Sequence, residues 1–397
     1  MLGKNFIICK VRTKLGEFIR PMTEQIDKPR KKFLNQVIGA ILLSGSLVVS
    51  EIARWIRDDC SDRFYQLKRL LNHLVSSQGD LSGAVRSYRK FVSCYIQHDT
   101  PVLIDLTDIA KPRARRMKYL AMVRDGSEDR LVSGYWCVEV YAHIKGKKVI
   151  PLAMDVFSIE DPIVGSQNLQ IERTVKSINE AIDGKGVWVA DRGFDSLNCY
   201  ETWFSQKCNF VVRHRGDRHV VMTNNVCILQ KDLVERLCQN NPQFGIVWAK
   251  VYLPNHRQPL YLVANWQQGN DEPLILLTTL VVESIQQAKQ VLWYYDQRWA
   301  CEEAGQFLKS RVGLEGFRIR RYEAIQRLVI LAMFAMGFLT WILLIGHQIK
   351  YWLLSLTSRF RKQVEFIYYR LLDGLQELGR LRYPFLDKLL NQSFENG

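Results

Sequence analysis

The chain has 397 residues, enough for two or three domains, and a formal net charge of +15. Its nine cysteines form no Cys-x2-Cys pair, and its seven histidines show no metal-ligand spacing with them. These features exclude a zinc site and the disulfide framework of a small secreted domain. The amino-terminal apolar stretch is too short for a secretory signal, so we expect a cytoplasmic protein with reduced thiols.

Positive charge is concentrated in two blocks. Residues 1–120 contain 22 Lys and Arg against 11 Asp and Glu, and residues 309–327 contain six basic and two acidic residues. Such blocks are typical of contact surfaces for a polyanion. For either block taken alone, a solvated charged face is the alternative.

Residues 1–97 are predicted to form a helical DNA-binding domain. Apolar pairs at helical spacing stop at residues 44–46, and a second helix is predicted over 51–57. Helix, glycine turn and helix resemble a helix-turn-helix, in which Arg54 and Arg57 would contact the major groove. A plain helical bundle gives the same local pattern.

Residues 98–214 change to a strand-rich pattern. The apolar run 102–104 predicts a buried strand that ends at Asp105, and a basic loop with Arg113 and Arg115 follows. A carboxylate at the end of a buried strand lies where open α/β sheets place their chemistry.

The rest of this segment contains a second predicted strand that ends at an aspartate. Two strands over 135–142 and 149–157 form a hairpin, a helix over 167–182 follows, and a strand over 187–190 ends at Asp191. After a short helix, one more strand is predicted over 210–212. Asp108 and Asp195, predicted in loops, are the rival acidic residues.

A β-rich insertion is predicted over 215–285. The interval from Asp191 to Glu302 is longer than one strand and a connection need, and it contains three short strand-like runs, over 246–252, 260–264 and 274–280.

Residues 286–346 contain the most informative pattern, Tyr295-x2-Arg298-x3-Glu302-x6-Lys309. On one continuous helix these four side chains share a stripe about 60° wide. An apolar face lies opposite, formed by Ala300, Ala304, Phe307 and Leu308. The pattern favours a helix that holds a metal ion through its Glu while it lies along a phosphodiester backbone.

The apolar segment 328–346 meets the length criterion for a membrane span. We expect it to be buried against the central sheet, with a membrane anchor as the alternative. Residues 347–397 are predicted to form a helical tail that could serve self-association.

The Tyr-Arg-Glu-Lys pattern resembles the signature of the DDE transposases of bacterial insertion sequences, in the group numbered four. Two short motifs resemble the sequences around the two aspartates of that family: Asp191-Arg192-Gly193-Phe194 and Asp105-x-Thr107. The resemblance covers roughly residues 100–345. It implies an α/β fold with a ribonuclease-H-like mixed sheet flanked by helices, which agrees with the predicted order of strands and helices.

The resemblance implies that Asp105, Asp191 and Glu302 form a catalytic triad that binds divalent metal ions. Three carboxylates can hold two such ions for phosphodiester hydrolysis and transesterification. Oxygen ligands suit Mg²⁺, with Mn²⁺ as a possible substitute. No protein nucleophile is evident, since no Gly-x-Ser-x-Gly or Cys/His arrangement stands out.

The same resemblance assigns Tyr295, Arg298 and Lys309 to contacts with the transposon end and its hairpin intermediate, and Arg192 is also expected to contact DNA. A packing role for Tyr295 is the alternative. Family members stack a flipped base on an aromatic side chain, and three candidates stay open at this point: Trp188, Phe194 and Trp299.

The predicted function is therefore that of a cut-and-paste DNA transposase. It would bind the terminal inverted repeats of an insertion sequence and target DNA as a homodimer, be associated with the bacterial nucleoid when bound to DNA, and have no membrane partner. The alternatives are a transposase-derived DNA-binding protein without cleavage activity, a membrane-anchored protein using 328–346, and a metal-dependent nuclease without strand transfer.

Overall fold

The structure of the protein is a computed structural model. The structure describes nine segments: residues 4–24, 26–56, 62–76, 80–126, 129–240, 245–266, 272–346, 348–357 and 366–380.

The described part of the amino-terminal region is helical. Its helices are α1 (Lys4–Ile19), α2 (Lys28–Ser44), α3 (Val49–Trp55), α4 (Arg63–Val75) and α5 (Ser82–Val92). The side chain of Asp27 caps the start of α2, and Gly45 ends it in the left-handed conformation that glycine adopts without steric cost. Helix α3 follows directly, so the predicted helix, glycine turn and helix are present.

The central sheet begins with four strands, followed by two alternations of helix and strand. These elements are β1 (Pro101–Ala110), β2 (Ala121–Asp125), β3 (Arg130–Ile144), β4 (Lys148–Phe157), α6 (Gln167–Ala181), β5 (Val187–Ala190), α7 (Leu197–Ser205) and β6 (Asn209–His214). In space the core strands run in the order β4, β3, β1, β5, β6. Strand β3 is antiparallel to β1 and β4, whereas β5 is parallel to both β1 and β6. This is the ribonuclease-H-like arrangement, so the predicted fold class is confirmed.

The predicted insertion extends this sheet. Its elements are β7 (His219–Met222), β8 (Cys227–Leu229), α8 (Gln230–Asn240), β9 (Ile246–Tyr252), β10 (Leu260–Asn265) and β11 (Leu274–Thr278). Strand β11 pairs antiparallel with β6, and the ladder continues through β10 and β9 to β7 and β8. The predicted core and the predicted insertion therefore share one continuous sheet. The division of the chain at residues 97, 214, 285 and 346 stays a prediction.

The chain then returns to helices. They are α9 (Ile285–Asp296), α10 (Trp299–Phe307), a π-helical turn (Leu308–Val312), α11 (Tyr322–Leu344), α12 (Ile349–Ser355) and α13 (Tyr368–Arg380). Most of the predicted carboxy-terminal tail beyond α12 lies outside the described residues, apart from α13.

Helix α11 covers the outer edge of the core sheet. It packs against β4, and its side chains bond to β4 carbonyl groups: Thr340 Oγ1 donates to Val149 O at 2.7 Å, and Gln326 Nε2 donates to Val156 O at 3.0 Å. An edge strand exposes unpaired backbone groups, and covering it with a helix satisfies them.

The burial of the apolar segment is thereby confirmed. Tyr322–Leu344 is the one described helix that is long and apolar enough by itself to cross a membrane, and α2 with α3 passes the same test only as a pair bent by 105°. However, 83% of the apolar window of α11 is buried inside the protein. The apolar composition is explained by packing on both sides of the helix.

Strand β1 corrects one sequence prediction. The strand was expected to end at Asp105, with Asp108 in a loop, but it continues to Ala110. The reason is that β3 is long enough to pair with β1 as far as Gly134, beyond the point at which β5 stops. Strand β2, which also pairs with β3, was not predicted.

The contact between α11 and α5 gives a stability test. A Cβ atom at Gly337 would lie 2.5 Å from the hydroxyl oxygen of Tyr88, whose ring is fully buried. We expect Gly337→Ala to destabilise the fold by about 1–3 kcal/mol through overpacking, seen as a lower thermal unfolding midpoint. Gly83→Ala is the control, because nothing lies within 4 Å of a Cβ there and α5 should gain up to about 1 kcal/mol in helix propensity. Equal midpoints for the two variants would contradict this packing.

Candidate active site

Asp105 and Asp191 lie side by side on parallel strands. Ile104 of β1 is in register with Ala190, the last residue of β5, so the next residue along the chain in each case is an aspartate at the same level. Neighbouring strands are about 4.8 Å apart. The two side chains therefore share one region, at the carboxyl end of β5. Asp105 also accepts a hydrogen bond from the backbone N–H of Leu106 at 2.9 Å.

Glu302 comes to this region on α10, which packs against β1 and β3. The predicted apolar face of the helix is confirmed, because Ala300, Ala304, Phe307 and Leu308 are all buried. The Glu302 side chain keeps 40% of its surface exposed. It therefore lies between the sheet and the solvent.

The continuous helix predicted over the Tyr-Arg-Glu-Lys pattern is wrong. Helix α9 ends at Asp296 and α10 begins at Trp299. Between them the backbone bonds span three residues instead of four, as from the Arg298 N–H to the Tyr295 carbonyl and from the Cys301 N–H to the Arg298 carbonyl. Such 3₁₀-type bonds tighten the turn and rotate the following side chains. Lys309 lies beyond α10, in the π-helical turn.

The three predicted triad members interact electrostatically. Burial raises the pKa of Asp105 to about 6, and the negative charges of Asp191 and Glu302 add to this increase. The Leu106 N–H and the Arg298 guanidinium act in the opposite direction. The charges of Asp191 and Glu302 thus both act on Asp105, and a cation bound near these carboxylates would offset their repulsion.

Two side chains of the pattern hold triad carboxylates. Arg298 Nη1 lies 2.7 Å from Glu302 Oε1, and the Tyr295 hydroxyl donates to Asp191 Oδ1 at 3.0 Å. Burial alone would lower the pKa of Arg298, but Tyr295, Asp191 and Glu302 together raise it above its ordinary value. Burial raises the pKa of Tyr295, and Asp191 adds to the increase. Both side chains therefore fix the orientation of acidic residues.

Lys309 is bound to acidic residues away from Glu302. Its Nζ lies 3.2 Å from Asp108 Oδ1 and 3.3 Å from Glu315 Oε1. Burial opposes its charge, but these two carboxylates outweigh burial and raise the pKa of Lys309. A contact between Lys309 and DNA would have to replace these ion pairs. Asp108, one of the rival acidic residues, thus has a structural cation.

The second rival, Asp195, belongs to a buried network. Its Oδ1 accepts from Arg218 Nε at 2.7 Å, and its Oδ2 lies 3.3 Å from His214 Nδ1. Burial lowers the pKa of His214 to about 4, so the imidazole is neutral at pH 7. The network ties the turn after Asp191 to the insertion, because Arg218 and Gln230, another partner of His214, both belong to it.

The two predicted basic segments meet on one surface. The backbone N–H of Lys118 donates to Arg320 O at 3.0 Å, and the buried Lys111 Nζ donates to Phe317 O at 3.0 Å. We call the exposed arginines of these segments the basic surface: Arg113, Arg115, Arg116, Arg318, Arg320 and Arg321. The segments are about 200 positions apart in the chain, and their joining follows directly from these two contacts.

The remaining predicted DNA contacts are scattered. Arg54 is exposed on α3 and Arg192 is exposed in the turn after Asp191, whereas Arg57 lies outside the described residues.

Two of the three candidate aromatic side chains for base stacking are part of the core. Trp188 and Phe194 are buried, whereas Trp299 is 64% exposed at the start of α10. The ring of Trp299 is therefore the accessible one among the three.

Two further residues lie at the site that the sequence pattern does not indicate. Arg213 on β6 places its Nη1 3.8 Å from Asp191 Oδ1 and 3.5 Å from the Tyr295 hydroxyl. Glu139 on β3 is the register partner of Asp105. Burial raises the pKa of Glu139 to about 7, and the negative charge of Asp105 adds to this increase. Only the pairing of distant strands brings these residues to the site, and the local sequence carries no signal for it.

The comparisons with known proteins concern the family of the chain. Residues 161–338 match the family model of the transposase DDE domain, which supports a DDE transposase. The matched stretch includes Asp191 and Glu302 and begins after Asp105. No curated protein matches the sequence.

Among solved structures, the chain is similar to a piggyBac transposase in the cryo-EM structure of its synaptic complex with hairpin DNA. The TM-score is 0.49 with 12% sequence identity, over 98% of this chain and 82% of that chain. The fold assignment rests on the strand order given above.

DDE transposases generally use divalent metal ions, and the residues of this site fit such an ion in their chemistry. The donors are carboxylates, which hard cations prefer, and they repel one another. One buried acceptor, Glu139 Oε1, has no hydrogen-bond partner. Within the described residues no group of three or more His, Cys, Asp or Glu has the spacing of a metal site, and here the Arg298 guanidinium supplies the positive charge beside Glu302.

The raised pKa of Asp105 predicts that removal of its charge stabilises the metal-free protein. The folded protein holds this proton more tightly than the unfolded chain, so the contribution of Asp105 to stability is lost as the pH rises from about 4 through 6. Without divalent cations, Asp105→Asn should therefore raise the free energy of unfolding by about 1–3 kcal/mol at pH 7.5, and by less at pH 5. Chemical denaturation in a chelating buffer measures both values.

Asp195→Asn is the matched comparison. It removes the charge that pairs with Arg218 and should destabilise the fold by about 3–5 kcal/mol. If Asp105→Asn also destabilised the metal-free protein, the unfavourable burial of the Asp105 charge would be contradicted.

Proposed function

We propose that this chain is a cut-and-paste DNA transposase that binds the terminal inverted repeats of an insertion sequence and performs metal-dependent strand cleavage and transfer. The observation that carries the proposal is the coupling of Asp105, Asp191 and Glu302 across two parallel strands and a helix. The match to the transposase DDE domain over residues 161–338 supports it independently of this geometry.

In this proposal Asp105, Asp191 and Glu302 hold the divalent cations. Mg²⁺ suits them because it takes a few carboxylates and keeps water molecules for the substrate phosphate, and Mn²⁺ is a possible substitute. When bound, the cations supply activation of the attacking oxygen and stabilisation of the leaving oxygen in phosphodiester displacement. The protein contributes the fixed positions of the carboxylates, which Tyr295 and Leu106 orient by hydrogen bonds.

Arg298 has two successive roles in this proposal. Without a cation, its guanidinium holds Glu302 at 2.7 Å and offsets the negative charge. With a cation held by the carboxylates, the guanidinium would be available to bind a phosphate oxygen of the DNA, and its planar fork suits two oxygens at once. The guanidinium lies between the rings of Tyr295 and the exposed Trp299, and 10% of the Arg298 side chain is exposed.

DNA outside the cleaved bond would lie on the basic surface. Its six exposed arginines come from the loop after β1, which carries Asp105, and from the segment that leads into α11. Arginine side chains in such a patch neutralise phosphates without reading sequence. Recognition of the terminal repeat is assigned to the amino-terminal helices, with Arg54 on α3 as a contact, and a homodimer would hold the two ends together.

The first test is cleavage of DNA that carries the element's own end, in the presence of Mg²⁺. Glu302→Gln should reduce cleavage by about 100-fold or more and leave DNA binding unchanged, because it removes a metal ligand but no phosphate contact. Glu303→Gln, one residue further along the same helix, is the matched control and should cleave at the wild-type rate.

The other outcomes separate the alternatives. Binding without cleavage by any of these proteins, across several metals and ends, would make the chain a DNA-binding protein. Cleavage without joining of the ends would make it a nuclease. Equal cleavage by Glu302→Gln and wild type would overturn the assignment of Glu302.

The basic surface gives a second test through the salt dependence of DNA affinity. Each lost phosphate contact should reduce the slope of log affinity against log salt by about one. The combined substitution of Arg113, Arg115, Arg318 and Arg320 by Ala should therefore flatten the slope by up to about four. Arg257→Ala, in the loop between β9 and β10, is the control and should leave the slope unchanged. A slope that stays at the wild-type value in the fourfold variant would exclude this surface from DNA binding.

A further inference from the structure

Glu139 is a buried acidic residue directly beside the first aspartate of the triad. It is paired in register with Asp105 across β1 and β3, so both side chains point to the same face of the sheet. Only 2% of Glu139 is exposed. Helix α10 covers this face, and a Cβ atom at Gly305 would lie 3.3 Å from Glu139 Oε2, so the helix approaches the carboxyl group closely where it has no side chain.

Only one of the two carboxyl oxygens of Glu139 has a hydrogen-bond partner. Oε2 accepts a hydrogen bond from the Tyr141 hydroxyl at 3.1 Å, but Oε1 has no hydrogen-bond partner. Among the described residues no cation lies within 4 Å of it. Burying a carboxyl group in this way is costly, so a purely structural role would be better served by an apolar or amide side chain.

Three other buried acidic side chains form ion pairs with basic side chains: Asp108 with Lys309, Asp195 with Arg218, and Asp373 with Arg311. A fourth buried acid, Asp161, accepts a hydrogen bond from the backbone N–H of Ile163. Glu139 is thus a buried acid whose charge the described protein leaves without a counter-ion, next to the carboxylates that the proposed function assigns to a divalent cation.

We propose that Glu139 is a positioning residue of the cation site, whose carboxylate stands behind Asp105 and increases the affinity of the site for a divalent cation. This inference rests on the proposed function, because it requires that Asp105, Asp191 and Glu302 hold the cation. Side chains behind metal ligands orient those ligands and add negative charge near the ion, and their loss weakens metal binding. The close approach at Gly305 brings the charge of Glu139 beneath the helix that carries Glu302.

The test is the binding of Mn²⁺ to the intact chain without DNA, measured by the loss of the free-ion signal in electron paramagnetic resonance. Glu139→Gln, which keeps the shape of the side chain but removes its charge, should weaken Mn²⁺ binding by about 10–100-fold. Glu139→Asp keeps the charge and should recover most of the lost affinity. The control variant Glu303→Gln, one residue after Glu302 on α10, should bind Mn²⁺ as the wild type does.

Thermal unfolding in a chelating buffer excludes a trivial explanation by misfolding. Glu139→Gln should unfold at the wild-type temperature or above it, because a buried charge next to Asp105 has been removed. A fully folded Glu139→Gln protein with wild-type Mn²⁺ affinity would overturn the inference, and so would equal losses of affinity in the Gln and Asp variants.

The Asp105→Asn protein separates this inference from the proposed function. If Asp105→Asn weakens Mn²⁺ binding and Glu139→Gln does not, only the role of Glu139 fails. If Asp105→Asn binds Mn²⁺ as well as wild type, the cation site itself is wrong and the proposed function fails with it.

Discussion

The burial of acidic side chains close to one another is the constraint around which this site is built. The parallel register of β1 and β5 places Asp105 and Asp191 next to each other, and α10 adds Glu302. Like charges in a partly buried region raise the free energy of the fold unless positive charge is close by. Arg298 and Arg213 supply that charge in the protein described here.

The sheet is held in place from both edges. On one side α11 bonds to the carbonyl groups of β4, and on the other β11 of the insertion pairs with β6. Neither edge of the core sheet is left open, and the strands that carry the acidic residues lie between these two covered edges. Rigid placement of this kind is what a site made of three distant chain segments requires, because small shifts of a ligand weaken metal binding and catalysis.

Much of this architecture follows from local sequence patterns. The strands that precede Asp105 and Asp191 and the buried helix after Glu302 are evident from apolar runs, because burial demands such runs. Local patterns do not show how a segment is changed by the strands and helices that it contacts in the fold. Strand β1 continues past Asp105 because β3 pairs with it, and the helix with Glu302 is interrupted because 3₁₀-type bonds form at Arg298.

The shared ladder of β6 and β11 also has a consequence for the evolution of the chain. The insertion supplies the hydrogen-bond partners of a core strand, so its removal would expose the edge of β6, and open edges recruit other chains into aggregates. Arg218 and Gln230 would be lost with it, and with them the partners of Asp195 and His214. A shorter descendant of this protein could dispense with the insertion only by acquiring another cover for that strand.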